Sequence, residues 1–519
     1  MRESVTLNSM KIICGAWLLI CSTALVGQPK SSQDFGEVRF ANSGAAAAQP
    51  EFIRGLAQLH NFEYEDAAQH FQAAQKIDPD FAMAYWGEAM TQNHAIWHEQ
   101  DLAAARAVLS RLGATPQARQ AKAPSEREKD YLGCIEILYG DGSKGERDQK
   151  YMSAMARLHQ KYPDDVDATA FYALAILGSA EEGRDFATYM RAAAVLEEVF
   201  PLHPRHPGVV HYLIHSYDDP IHAPLGLRAA RIYARIAPDA GYAQHMTSHI
   251  FLALGMWDEV VAANESAMAV VNRHRELAGK PPGQCGHYNE WLQYGYLQLG
   301  RIEDARRVLA GCRQQAEHQA EHLASHAKSA GYADTSAIDS YAGMRAHFII
   351  NSELWQDEVA HWSVPAGEFP AAQLTFDYTD ALAAYKSSEI SAARAALARM
   401  QADAKLDMAS FDHRKNDEPG EREYIALLVE QLRALLPAPK PNAAATIAAL
   451  KSMSTKERAL PMEFGPPSIY KPTEELLGEL YLQTRQPDEA RKAFAADLAR
   501  APGRLLGTRG LKRADDALR

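Results

Sequence analysis

The chain has 519 residues, with 54 Lys and Arg against 66 Asp and Glu, a formal charge of −12. Apolar residues make up 47% and charged residues 23%, a composition that folds and excludes a largely disordered chain or a polytopic membrane protein. The acidic balance excludes a general nucleic-acid binder, which needs clustered Lys and Arg to neutralise phosphate.

Residues 1–27 read as a secretory signal peptide. Lys11 supplies the charge, Ile12 to Val26 the short apolar stretch, and Ala24 and Gly27 the small residues near a cleavage point. The stretch is short of the roughly 20 residues that span a bilayer comfortably. No later run of about 18 apolar residues occurs, so no integral membrane domain is expected after signal removal. The reading is a protein secreted across an inner membrane, periplasmic or extracellular, and membrane-anchored if the signal is retained. Cys14 and Cys21 leave with the signal. Cys134, Cys285 and Cys312 remain, an odd set that allows one bridge, with Cys285 and Cys312 as its candidates. No CxxC spacing exists, so a thiolate zinc site is not expected.

Residues 28–50 are polar, small and Pro-bounded, and read as a flexible linker. From Glu51 onward the chain is Ala- and Leu-rich with helical spacing and no sustained strand alternation, so the class is all-α. Near the N-terminus Gly55, Ala67, Phe71, Ala74 and Pro79 appear in order, and near the C-terminus Leu477, Gly478, Tyr481, Ala490, Phe494 and Pro502. Both sets resemble the tetratricopeptide (TPR) repeat, a 34-residue helix-turn-helix unit. Small residues let the two helices approach, the aromatic fills the gap and the proline ends the second helix. Trp257, Ala267 and Ala305 continue the pattern. The resemblance implies a right-handed superhelical solenoid over residues 51–510. We divide it near 350, into an array at 51–350 and another at 351–519.

Of the 20 histidines, four sit in a pattern that carries information. His211 and His215 are spaced i, i+4, and so are His245 and His249, so each pair projects from one helical face. The two pairs are 34 residues apart, one repeat period. In the TPR family the first helix of each repeat lines a concave groove, and the resemblance places both pairs there. It implies four imidazoles facing one cavity on helices roughly 8–10 Å apart. Imidazoles meet a metal at about 2.0–2.1 Å, and such a set suits copper, zinc, iron or manganese. Asp218 and Asp219 follow His215 closely enough to ligate or to orient a ring N–H. Tyr242, His287 and Glu290 are further groove candidates. His60 and His94 form a second register one period apart, with capping or packing as the preferred reading.

No GxxxxGK[ST] loop, GxSxG elbow, HExxH or EF-hand loop occurs. The stretch HYLIHSYDDPIHAPLG followed by HMTSHIF resembles histidine-rich, signal-bearing bacterial TPR proteins. The leading expectation is therefore an exported TPR-like protein that binds a small molecule or peptide in a His-lined, metal-bearing groove. The alternatives are a metal-dependent hydrolase or oxidase on the same scaffold, and a metal-free protein-interaction scaffold.

Overall fold

The computed structural model describes residues 32–180, 183–326, 336–366, 370–410, 421–436, 442–462 and 465–519. The signal peptide expected at 1–27 lies outside them. Among the described residues are twenty-three α-helices and one two-residue pair of strands. In chain order they are α1 Gln49–His60, α2 Tyr64–Ile77, α3 Ala82–Met90, α4 Leu102–Leu112, α5 Pro116–Gln120, α6 Glu126–Leu138, α7 Lys144–Lys161 and α8 Val166–Gly178. Next come α9 Phe186–Val199, α10 Pro207–Tyr217, α11 Ala223–Ile236, α12 Gly241–Ala253, α13 Trp257–Leu277, α14 His287–Gln298, α15 Ile302–His326 and α16 Ser336–Ser352. The last are α17 Pro370–Lys386, α18 Ile390–Ser410, α19 Glu421–Leu435, α20 Ala443–Ala459, α21 Thr473–Gln483, α22 Pro487–Arg500 and α23 Leu505–Leu518. Strands β1 Asn93–His94 and β2 Glu99–Gln100 pair antiparallel between α3 and α4.

Consecutive helices pack as hairpins, and successive hairpins stack. The architecture is a TPR-like solenoid of helical hairpins, as the repeat signals imply. The same wedge closes both ends. Phe71 of α2 is fully buried between Gly55 of α1 and Gly87 of α3, where an added Cβ would stand 3.1 Å and 2.4 Å from its ring. Phe494 of α22 sits likewise between Gly478 of α21 and Gly510 of α23, at 2.6 Å and 2.2 Å. A ring fills the space that two absent side chains leave, so three helices close on one aromatic.

The segment expected as a flexible linker is packed where it is described. Phe35, Val38 and Phe40 are buried, and Phe40 lies against Phe52, Trp86 and Tyr131. Glu128 accepts hydrogen bonds from the Ser43 N–H at 2.8 Å and its hydroxyl at 2.7 Å. Three apolar side chains within six residues suffice to bind a strand-like segment to a core, whatever the polarity around them.

The division expected near 350 falls inside α16, whose Phe348 and Ile349 join one apolar cluster while Ile350 joins the next. The last turns return to the middle of the chain. The Trp257 indole N–H donates to the Gly503 carbonyl at 2.9 Å, and Leu505 N–H donates to Gln298 Oε1 at 2.8 Å. Buried Arg504 donates to Glu475 at 2.6 Å and to the Tyr294 hydroxyl at 2.7 Å. Gly465 rests on Trp291, so close that a Cβ there would come within 2.8 Å of the indole. These segments cover α14 at Trp291, Tyr294 and Gln298.

Candidate functional site

Helix α10 begins where His206 caps Pro207. The His206 Nδ1 accepts the Val209 N–H at 3.3 Å, and proline is tolerated in a first turn because its missing N–H needs no partner. Every residue of α10 is buried, since the helix lies among α1, α8, α9, α11 and α12. The approach to α1 is close: a Cβ on Gly208 would stand 2.3 Å from the His60 ring. His211 and His215 thus point into protein, with rings 4.9 Å apart. The His211 Nδ1–H donates to the His60 carbonyl at 2.7 Å, and its Nε2 has no hydrogen-bond partner.

Helix α12 is buried along nearly its whole length. The His245 Nδ1 lies 2.7 Å from Asn264 Oδ1 on α13. Asn264 Nδ2 donates to the Val260 carbonyl at 2.8 Å, which fixes the amide and makes Oδ1 the acceptor. His245 Nδ1 therefore carries a proton. The His249 Nδ1 lies 2.5 Å from Asp218 Oδ2, a carboxylate that accepts its proton. With each Nδ1 held from behind, both rings turn Nε2 toward each other, and the two Nε2 atoms lie 3.1 Å apart. That separation suits a proton on one of them or a cation between them.

Around this pair, Trp291 stacks on His249 at 4.3 Å between ring centres and meets His245 edge-on at 4.8 Å. His287, the first residue of α14, meets His245 edge-on at 4.6 Å. His211, His215, His245 and His249 are at most 2% exposed. His287 is the exposed member of the cluster. Burial holds His211 far below its ordinary pKa, at about 3. Burial and then neighbouring imidazoles hold His215 and His245 well below it. Neutral rings of this kind are the ligand form of histidine.

Three groups of side chains place ligand atoms within 4.8 Å of one another among the described residues. They are His245–His249–His287, His215–Asp218–His249 and His60–Asp167–His206. The first two share His249. The third is chemically closed. The His60 Nε2–H donates to Asp167 at 2.9 Å and its Nδ1 accepts the Tyr212 hydroxyl at 3.0 Å. The His206 Nε2–H donates to the same Asp167 oxygen at 3.2 Å. With His206 Nδ1 occupied by Val209, no imidazole lone pair is left for a metal.

The expected site residues are therefore sorted. His245, His249, His215, Asp218 and His287 come together, and Tyr242 stands between the two pairs, 5.4 Å from His211 and 6.0 Å from His245. His211 borders this set but joins none of the three groups. Asp219 turns away: it accepts from Arg184 at 3.1 Å and pairs with His222 at 2.9 Å. Glu290 hydrogen-bonds Ser340 instead. His60 belongs to the closed network, and its carbonyl, not its ring, serves His211. His94 stacks on Tyr64 at 4.1 Å and joins none of the three groups. Asn264, Trp291, Asp167 and His206 escaped the sequence reading. Trp291 follows His287 at i, i+4 and carried a usable signal. Asn264 and Asp167 reach their histidines from other helices and carried none. Cys285 and Cys312 are disulfide-bonded, and Cys134 is free and buried.

No family model and no curated protein matches the sequence. Three solved helical chains are similar over most of their length. The Cut9–Hcn1 heterotetramer of the APC/C gives 11% identity over 93% of this chain and 78% of that one, with a TM-score of 0.37. Yeast Tom70 gives 12% identity over 91% and 96%, with a TM-score of 0.31. The TPR domain of P58(IPK) gives 12% over 91% and 98%, with a TM-score of 0.20.

Proposed function

We propose that this chain is an exported helical-repeat protein that holds a transition metal ion between α10, α12 and α14. His245 Nε2 and His249 Nε2 are its first ligands, His287 its third, and His215 lies within reach through the Asp218–His249 group. The single observation behind this reading is the pair of facing Nε2 atoms at 3.1 Å, each ring fixed by a partner on its Nδ1 side. With bonds of about 2.0–2.1 Å, that separation corresponds to an angle of roughly 100° at a shared ion. This lies between square-planar and tetrahedral values. Asp218 and Asn264 act from behind the rings, setting tautomer and orientation. An all-imidazole set suits copper, zinc or iron.

Exposed His287 leaves one side of the ion accessible, so a small molecule or peptide end can reach it there. Metal-dependent hydrolase or oxidase chemistry at that open position is a second reading, favoured by the same exposure. A metal-free interaction scaffold is the third, with one shared proton in place of the ion. Export is supported by the N-terminal sequence and by the Cys285–Cys312 bridge, which suits an oxidising compartment.

The test is the metal content of mature protein purified without a polyhistidine tag. About one equivalent of transition metal is expected, lost in His245→Ala plus His249→Ala. Metal-free protein whose fold and partner binding survive that double substitution would overturn the reading in favour of the scaffold.

A further inference from the structure

Five hairpins among the described residues turn in the same way. In the α1–α2 turn the Phe62 N–H donates to the Leu59 carbonyl at 3.1 Å and the Glu63 N–H to the Gln58 carbonyl at 3.0 Å. The α12–α13, α14–α15, α17–α18 and α21–α22 turns repeat this pair of bonds around Gly255, Gly300, Ser388 and Arg485. All five residues sit in the left-handed region, and Phe62 has φ 58°. Ser388 and Arg485 are exposed, and glycine takes this conformation without a steric penalty. Phe62 is different. It is a bulky side chain in a disfavoured conformation, and it is only 6% exposed. Strain of this kind persists where the surrounding structure demands it, and it points to a functional position.

What the strained residue delivers is its ring. The ring meets His211 edge-on at 4.3 Å, stacks on His215 at 5.9 Å and lies 5.6 Å from Tyr242. It also contacts Tyr64 at 5.2 Å and Trp97 at 5.6 Å, both half-buried. Phe62 thus joins the dry imidazoles of α10 to aromatics that reach solvent. His211 behind it is fully buried, and its Nε2 is bare and without a hydrogen-bond partner.

We propose that Phe62 is a positioning residue for the imidazole cluster: its ring seals the α10 side and keeps water and competing ligands from His211 and His215. Exchange at a bound ion then runs past His287. The seal itself stands without the ion, and only its effect on ion release rests on the metal reading above.

Phe62→Gly tests the seal, because two sister turns already hold glycine at this position. Phe62→Asn, small and tolerant of a left-handed backbone, carries the test should Phe62→Gly not fold. Phe62→Leu restores apolar bulk. Histidines of the metal-free full chain are acylated with diethyl pyrocarbonate and mapped by mass spectrometry. His211 is expected to react about tenfold faster or more in Phe62→Gly, and within about threefold of wild type in Phe62→Leu. His60 and His206 keep their protection, because Asp167 holds both. In zinc-loaded protein, release of the ion to a chelator is expected to be about tenfold faster or more in Phe62→Gly. Unchanged protection of His211 in Phe62→Gly overturns the seal. Labelling of His60 and His206 together with His211 overturns it as well, since Phe62 then only holds α1 against α10. Unchanged zinc release with His211 labelled overturns the link to the ion. Wild-type protein that takes up no zinc overturns the metal reading alone, and the labelling still decides the seal.

Discussion

Asn264 offers a sharp perturbation, because it touches no ion yet decides which nitrogen of His245 can. Its Oδ1 takes the His245 Nδ1 proton at 2.7 Å, which leaves Nε2 bare. In Asn264→Leu that acceptor is gone. The His245 proton can then move to Nε2 and be donated to His249 Nε2 across the existing 3.1 Å. The metal-free protein trades one buried hydrogen bond for another, a net change of about 1 kcal/mol or less. The metal must instead displace that proton and bind a ring no longer oriented from behind. Losses of about 10–100-fold in affinity are usual for such partners, or roughly 1.4–2.7 kcal/mol. Affinity and metal-free stability should therefore separate. Competition with a chelator of known affinity reads the first, and urea unfolding after metal removal reads the second. Nitrogen chemical shifts of the imidazoles report the tautomer directly. Affinity in Asn264→Leu within twofold of wild type, or a proton already on His245 Nε2 in metal-free wild-type protein, would contradict a tautomer set by Asn264.

Other consequences follow from the closed network and the fold. Asp167→Ala leaves two buried imidazole N–H groups, of His60 and His206, without their acceptor and should lower urea stability by about 2–6 kcal/mol, at about 1–3 kcal/mol for each unmet donor, while the folded fraction keeps its metal. His347 is buried beside Arg504, and burial first, then that charge, takes its pKa to about 3. The unfolded chain protonates it from about pH 6.5 downward, so its contribution is intact above that pH and falls on acidification, by about 1.4 kcal/mol per pH unit. His347→Gln should remove about one proton from the slope of unfolding free energy between pH 6 and 4, and an unchanged slope contradicts this. Gly510→Ala drives a methyl to 2.2 Å from the Phe494 ring and should destabilise by about 1–3 kcal/mol, read as a lowered urea midpoint.

Local repetition made the fold legible. Gly55 and Phe71, or Gly478 and Phe494, lie within one hairpin, so their spacing is preserved in the chain. The histidine pairs were legible for the same reason, being one helical turn apart and one repeat apart. What lay hidden is set by contacts between distant helices. Asn264 meets His245 through the packing of α12 on α13, and Asp167 meets His60 across 107 residues. Asp218 and Asp219 were equivalent in sequence but diverge at the end of α10, one toward His249 and the other toward Arg184. The segments that cover part of α14, the turn around Gly503 and the chain at Gly465, come from the opposite end of the chain. No repeat signal encodes that return.

The metal proposal stands or falls on what lies between His245 Nε2 and His249 Nε2. Diffraction from crystals of untagged protein, recorded above and below the absorption edge of the metal it contains, addresses this directly. The proposed centre requires an anomalous peak about 2.0–2.1 Å from both nitrogens. An empty map there, with a neutron or ultrahigh-resolution density peak for one shared proton, would contradict it.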